Sequence, residues 1–273
     1  LGLPYSFHLS GYVIGGFLLT FFGFFNMMGL LLLGYATYYV DSRHGSFFKV
    51  SQRAAPGKEW IFDLAVAIKC FGVATSYLIV IGELMSQVGQ TLFNSNMLAY
   101  RQVWIIISSL FVIPLSLLRD LDSLKFTSVA SLIFFLYLIA FILLYYYHID
   151  DLNACDSFTG QLCPGHISNI RYNSEIWSNL SVFVFGYTCH QNIFTIVNEL
   201  KDNTIPRITG VVVTSIGSSY LVYLIVCFAA YYTFGDLVQG DLLTIYPDHI
   251  LATILRIFIS LMVAFSFPLQ IHP

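Results

Sequence analysis

The sequence predicts an all-α polytopic membrane protein, and three features carry that expectation. Only 10% of its 273 residues are charged while 57% are hydrophobic, where a soluble domain has roughly 25% charged residues. Mean hydropathy is +0.76. Seven apolar stretches recur along the chain, each meeting or nearly meeting the ~20 residues needed to cross a bilayer as a helix. One of them is polar at its centre, where lipid would favour leucine.

In chain order, Leu1-Gly2-Leu3-Pro4-Tyr5-Ser6-Phe7 has no initiator Met, charged n-region or cleavage site. It reads as a chain entered partway through a helix, without a signal peptide. Spans are predicted near 16–40, 60–90, 102–118, 126–148, 177–198, 208–234 and 249–267, and the end at Ile271-His272-Pro273 is equally abrupt. Lys and Arg alternate between the connections. Those at 41–58, 119–125 and 199–207 hold eight, and those at 91–101, 149–176 and 235–248 hold two. By the positive-inside rule the rich connections face the cytosol. Five cysteines form no CxxC pair: Cys70, Cys189 and Cys227 fall in apolar spans, while Cys155 and Cys163 share one polar connection. Only that pair suits a disulfide, on the oxidising, non-cytosolic side.

Ionisable groups within spans are costly and so draw attention. They are Lys69, Arg256 and, towards the outer end of the second span, Glu83. At 100° per residue, Lys69, Gly72, Ser76, Glu83, Gln87 and Gln90 lie within roughly a 60° arc, and Lys69 and Glu83 are about 21 Å apart along the axis. They cannot pair with each other, so each requires a partner elsewhere. The stripe reads equally as a buried helix face or as part of a substrate path. Gly210, Thr214, Gly217 and Ser218 of the sixth span, and glycines 15, 16, 23, 29 and 34 of the first, have the small-residue spacing of close helix contacts.

The segment Val182 to Leu200 (VFVFGYTCHQNIFTIVNEL) places Gly186, Tyr187, Thr188, Cys189, His190, Gln191 and Asn192 between apolar flanks. An unwound turn at membrane depth frees backbone N–H and C=O groups and is tolerated only where protein or a water-filled cavity receives them. Such a break is a binding site in many transporters. A continuous helix whose polar residues bond to neighbouring helices is the alternative.

Several motifs together resemble the amino acid/auxin permease family, and within it most closely the fungal vacuolar amino acid transporters, with the animal neutral amino acid transporters as relatives. LGLPYSF resembles the end of that family's glycine-rich first helix and FGYTCHQNIFTIVNEL its sixth. PLSLLRDLDSLKFTS, from Pro114, resembles its connection between helices four and five, and SFPLQIHP at 266–273 the end of its eighth. The resemblance covers essentially the whole chain. It implies a leucine-transporter-like inverted-repeat fold, present here as one transmembrane transporter domain from the second half of helix one to helix eight. It also implies that the start of helix one and all that follows helix eight are missing. The interruptions at Leu1–Pro4 and Gly186 are five helices apart, the spacing an inverted repeat requires.

The implied function is secondary active transport of free amino acids by alternating access, with the substrate between broken helices one and six. A carboxylate needs N–H donors and an ammonium needs carbonyl oxygens, both of which broken helices expose. Gly2 and Leu3 are therefore expected to bind substrate, with Phe185, Gly186, Tyr187 and Thr188, and more weakly Ser76, Tyr77 and Ser266. No cofactor is expected beyond an ion gradient. Some relatives use sodium through an Asn in helix one, which lies before this sequence begins. A proton is favoured by the resemblance to transporters of an acidified compartment, with His190 and Glu83 as coupling candidates. A hydrogen-bonded structural histidine is the alternative for His190. A vacuolar or other acidic-organelle membrane is the expected location, with the plasma membrane as the alternative.

Net charge is only −3, with no basic run, so nothing points to nucleic acid. A seven-helix receptor would carry Asp-Arg-Tyr after a third span or Asn-Pro-x-x-Tyr in a seventh, and neither is present. An intramembrane enzyme would carry a Gly-x-Ser-x-Gly elbow, His-Glu-x-x-His or paired aspartates within spans, and none occurs. A nutrient sensor without net transport would share every feature of a transporter.

Overall fold

A computed structural model describes the chain except residues 1, 41–43, 94–96, 117–123, 149–151, 153, 156–157, 159–162, 173 and 272–273. Leu1, Arg43, Arg119 and the expected span end at 117–118 thus lie outside the described residues. Ten α-helices follow in order among the described residues: α1 Leu3–Ser10, α2 Tyr12–Ala36, α3 Phe47–Ala54, α4 Glu59–Phe93, α5 Arg101–Ser116, α6 Leu124–Tyr147, α7 Glu175–Gly186, α8 Ile193–Glu199, α9 Ile205–Phe234 and α10 Ile250–Ile271. Among the described residues there is no strand. Six spans among the described residues are long and apolar enough to cross a membrane, α7 and α8 together forming one of them, and α5 is a shorter apolar helix. The chain is thus an all-α multi-pass membrane protein. Its helices form two compact units.

The first unit comprises residues 1–8, 70–167 and 225–272. Here α10 packs along α6 and α5. Ile81, Val112, Ala264 and Phe267 form an apolar core, with Tyr77, Leu78 and Met85 against it. Phe134 stacks on Phe258 at 4.6 Å between ring centroids, and the Tyr137 hydroxyl donates to the Leu251 carbonyl at 3.2 Å. Cys155 and Cys163 are joined by a disulfide, with Cα atoms 5.8 Å apart.

Arg256 shows in this unit how a cation survives inside an apolar helix. It is 1% exposed. Its guanidinium donates to the Leu243 carbonyl at 3.2 Å, to the Tyr246 carbonyl at 2.8 Å and to the Asp248 carboxylate. A planar fork of five donors suits such a cluster of oxygens. The residue therefore fastens the 241–248 connection rather than facing a substrate.

The second unit comprises residues 9–69 and 168–224, with α2 packed against α7 and α8. Gly11 precedes α2 with φ of 79°, and a Cβ there would lie 2.6 Å from the Asn169 carbonyl oxygen. Only glycine meets both demands. The amides of Tyr12 and Val13 donate to the carbonyls of Ser168 and Asn169, and the Arg171 amide donates to Ser10. The face of α2 turned inward reads Gly15, Leu19, Gly23, Asn26, Leu30, Gly34, spaced by three and four residues as one helix face requires.

The two expected small-residue faces fare differently. Gly23 abuts Tyr187, Gly29 abuts His190 and Gly34 abuts Ile208, whereas Gly16, Gly210 and Gly217 have open space where a Cβ would go. Between Ile205 and Val226 of α9 the buried positions are Ile208, Val212 and Ile216, so the close contact expected of Gly210 and Gly217 is corrected. A small residue permits close approach but does not attract a partner. On α4, likewise, Gly72 and Gln90 are exposed while Val73, Ile81, Leu84 and Val88 are buried. The apolar face of α4 is its most buried, while Lys69, Ser76, Glu83 and Gln87 of the polar stripe are half-buried.

The helix-six break as candidate functional site

In the second unit, α7 stops at Gly186, and Tyr187, Thr188 and Cys189 lie outside any helix. A 3-10 turn over His190–Asn192 then leads into α8 at Ile193. The span at 175–199 is therefore broken near its middle, not continuous. The cause is local: glycine carries a helix poorly, and a run of hydroxyl, imidazole and amide side chains competes with the backbone for hydrogen bonds. The Tyr187 amide donates to Val184, the Thr188 amide to Phe185 at 3.1 Å and the Asn192 amide to Cys189 at 3.1 Å. These i to i−3 bonds tighten both sides of the gap. The Thr188 hydroxyl turns back to the Val184 carbonyl at 2.7 Å.

Two contacts fix the broken backbone. The Tyr223 hydroxyl of α9 donates to the Gly186 carbonyl at 2.7 Å, and its ring meets Tyr187 edge-on at 5.3 Å. Tyr187 is 2% exposed and lies over Gly23, whose absent Cβ would be 3.1 Å from the tyrosine ring. Its side chain is thus a packing group, and Phe185 on the preceding turn is exposed. Gly186 and Thr188 are half-buried.

His190 points its Nε2 towards α2, where a Cβ on Gly29 would lie 2.8 Å away. The Asn26 backbone is a hydrogen-bond partner of the ring. Lys69 reaches the same region by donating to the Gln191 side-chain oxygen, and its charge acts on both Cys189 and His190. Gln191 is 3% exposed. The break thus gathers an imidazole, an ammonium group and a buried amide. Its C-terminal end is pinned as well: the Asn198 amide exchanges two 3.0 Å hydrogen bonds with the backbone of Gly45, and Phe47 packs edge-on against Phe194 at 4.7 Å.

The remaining expected site residues belong to the first unit. α1 starts at Leu3, which is buried, and Ser6 closes its first turn by donating from backbone and side chain to the Gly2 carbonyl at 3.2 and 3.4 Å. Pro4 suits that first turn because its missing N–H has no helical role there. Ser76 and Ser266 are half-buried and each donates to a carbonyl four residues earlier, Gly72 at 3.0 Å and Met262 at 2.8 Å. Tyr77 lies against the apolar core. Glu83 is ion-paired with Arg101 at 2.8 Å, both groups partly exposed. Glu83, Ser76, Tyr77, Ser266, Gly2 and Leu3 thus share one unit, and Phe185–Thr188 and His190 the other.

Sequence reasoning left the partners of Lys69 and Glu83 open and did not single out Tyr223, Asn26 or Asn198. Periodicity reports which face a residue occupies and not which helix receives it. Among the described residues, no group of three His, Cys, Asp or Glu is arranged to hold a metal ion.

The chain is 36% identical over 277 residues to vacuolar amino acid transporter 5 of Schizosaccharomyces pombe, covering all of this chain and 63% of that protein. It is 35% identical over 286 residues to vacuolar amino acid transporter 5 of Saccharomyces cerevisiae, covering all of this chain and 61% of that one. Sodium-coupled neutral amino acid transporter 7 of Danio rerio is 26% identical over 98% of this chain and 58% of its own length. The chain therefore spans about three fifths of the curated relatives it matches. All three relatives are named as transporters. Residues 1–273 match the family described as transmembrane amino acid transporter protein, and the chain belongs to that family.

Proposed function

We propose that the protein to which this chain belongs carries free amino acids across the vacuolar membrane by proton-driven secondary transport, with alternating access at broken helices one and six. The observation that carries this reading is the interruption at Tyr187–Cys189, beside the hydrogen bond from the Tyr223 hydroxyl to the Gly186 carbonyl. The carbonyl end of α7 carries partial negative charge, which suits a substrate ammonium, while the first turn of α1 presents N–H groups without intrahelical partners, which suits a carboxylate. Backbone of Phe185, Gly186, Tyr187 and Thr188 supplies the first kind of contact, and Gly2 and Leu3 the second. Ser76, Tyr77 and Ser266 act, on this reading, as side-chain supplements.

His190 is the proposed proton carrier because it lies within the break and is hydrogen-bonded to α2, so a change in its charge bears on the helix contact beside the substrate. Glu83 is the secondary choice, being held by Arg101. The vacuolar membrane is favoured by the names of the fungal relatives, and the animal relative's name makes sodium the competing ion. Radiolabelled amino acid flux into vesicles containing the complete protein tests the proposal. Uptake that follows an imposed pH gradient supports it. Uptake that follows sodium alone overturns the coupling, and saturable binding without flux would make the protein a sensor.

A further inference from the structure

A second feature lies away from the helix-six break, on the connection that the positive-inside rule assigns to the cytosol. A cavity of about 670 Å³ opens there, lined by Tyr39, Val40, Lys49, Gln52, Arg53 and Pro56. Lys49 and Arg53 sit four residues apart on α3, the spacing that puts two side chains on one helix face. Ser46 caps the helix by accepting the Lys49 amide at 3.2 Å. The other face of α3 is spent on packing, with Ser51 buried and Phe47 against Phe194. The cavity carries Lys49 and Arg53 as its cations. Its lining is two cations, an amide, a phenol and two apolar groups.

Depth decides what such a cavity meets. Tyr39 closes the span 12–39 and is 80% exposed, Trp60 stands at the start of the span 59–92 and is 64% exposed, and Phe48 beside the cavity is also exposed. Tyr and Trp gather at the headgroup level of a bilayer. The cavity volume falls within the range of small-molecule sites, roughly 300–1,000 Å³. Arg and Lys supply charge-assisted donors to phosphate oxygens, and the Gln52 amide and Tyr39 hydroxyl suit the hydroxyls of a polyol. We propose that this cavity binds the phosphorylated inositol headgroup of an anionic phospholipid in the cytosolic leaflet. Because the Gly45–Asn198 and Phe47–Phe194 contacts tie α3 to α8, the lipid would sit on an element docked to the cytosolic half of the broken helix.

The test uses full-length protein in phosphatidylcholine nanodiscs, which leave both faces accessible, equilibrated with phosphatidylcholine vesicles doped with phosphatidylinositol phosphate. The expected result is retained phosphoinositide that weakens about 5-fold in Lys49→Gln or Arg53→Gln and about 30-fold in the double variant, as the loss of one and two interfacial cations requires. Arg53 is exposed, so its single variant serves if the double variant does not fold. Lys58→Gln removes a charge of the same connection that does not line the cavity, and it should leave retention within about 2-fold. Equal weakening in Lys58→Gln would show diffuse polybasic attraction and overturn the proposal. So would unchanged retention in Arg53→Gln. Competition by soluble inositol phosphate as strong as that of the lipid would make the ligand a free phosphate and overturn the membrane assignment.

Discussion

The Tyr223 hydroxyl is hydrogen-bonded to the Gly186 carbonyl at 2.7 Å, joining α9 to the residue at which helix six stops. A carbonyl at a half-buried helix end needs such a donor, since an unpaired buried acceptor costs about 1–3 kcal/mol. Tyr223→Phe keeps the ring contact with Tyr187 and removes only that bond. We expect the variant to insert and fold with stability lowered by about 1 kcal/mol, and to lose amino acid flux more than stability. Thermal unfolding and vesicle flux, measured together, check both parts. Unchanged flux would show that this bond does not position the break.

Gly186→Leu addresses the break from the other side. A leucine favours continuing the helix by about 1 kcal/mol relative to glycine, and its side chain fills space beside the open backbone. Membrane insertion should be normal and flux abolished. Wild-type flux in this variant would place the substrate elsewhere.

Gly29 and His190 form a pair that one added methyl group would disturb. A Cβ on Gly29 would lie 2.8 Å from His190 Nε2, closer than side-chain atoms tolerate. Gly29→Ala should therefore shift the imbalance of the ring contact onto helix six, and His190→Gln should remove the titrating group altogether. Both variants of the full-length protein are expected to retain substrate binding and to lose the dependence of flux on a pH gradient. Wild-type pH dependence in His190→Gln would leave His190 as a structural residue hydrogen-bonded to α2.

Asp241 lies between the membrane spans, where its carboxylate accepts the Leu243 amide at 3.0 Å. Burial raises its pKa above the ordinary 3.8, against the lowering influences of that amide and of Arg256. A carboxyl that binds its proton more tightly when folded contributes stability below its ordinary pKa, and this contribution is lost as pH rises through the raised native value. The 241–248 connection should accordingly be more stable at acidic than at neutral pH. Asp241→Asn keeps an acceptor oxygen and should flatten that dependence. Thermal unfolding of both proteins across the acidic range checks this, and an identical pH slope in the two would assign the effect to another group.

The all-helical, membrane-spanning character of the chain and the site of the break were legible in the sequence because each depends on local chemistry. Twenty apolar residues cross a bilayer whatever surrounds them, and Gly186 followed by Tyr187, Thr188, Cys189, His190, Gln191 and Asn192 cannot sustain a helical ladder as leucines would. The Cys155–Cys163 pairing was legible for a similar reason, since no other two cysteines share a connection. The need of Lys69, Glu83 and Arg256 for partners followed from the cost of burying charge.

Which partners they took was decided by tertiary structure alone. Lys69 meets Gln191 from 122 positions along the chain, Glu83 meets Arg101 across a connection, and Arg256 meets two backbone carbonyls that carry no signature in sequence. The glycines make the same distinction most plainly. Gly23 and Gly29 on α2 and Gly210 and Gly217 on α9 are the same small residue within apolar spans, yet the first two receive Tyr187 and His190 while the others face open space. Residue size sets how near another helix can come, and only the packing of the other helices determines whether one does.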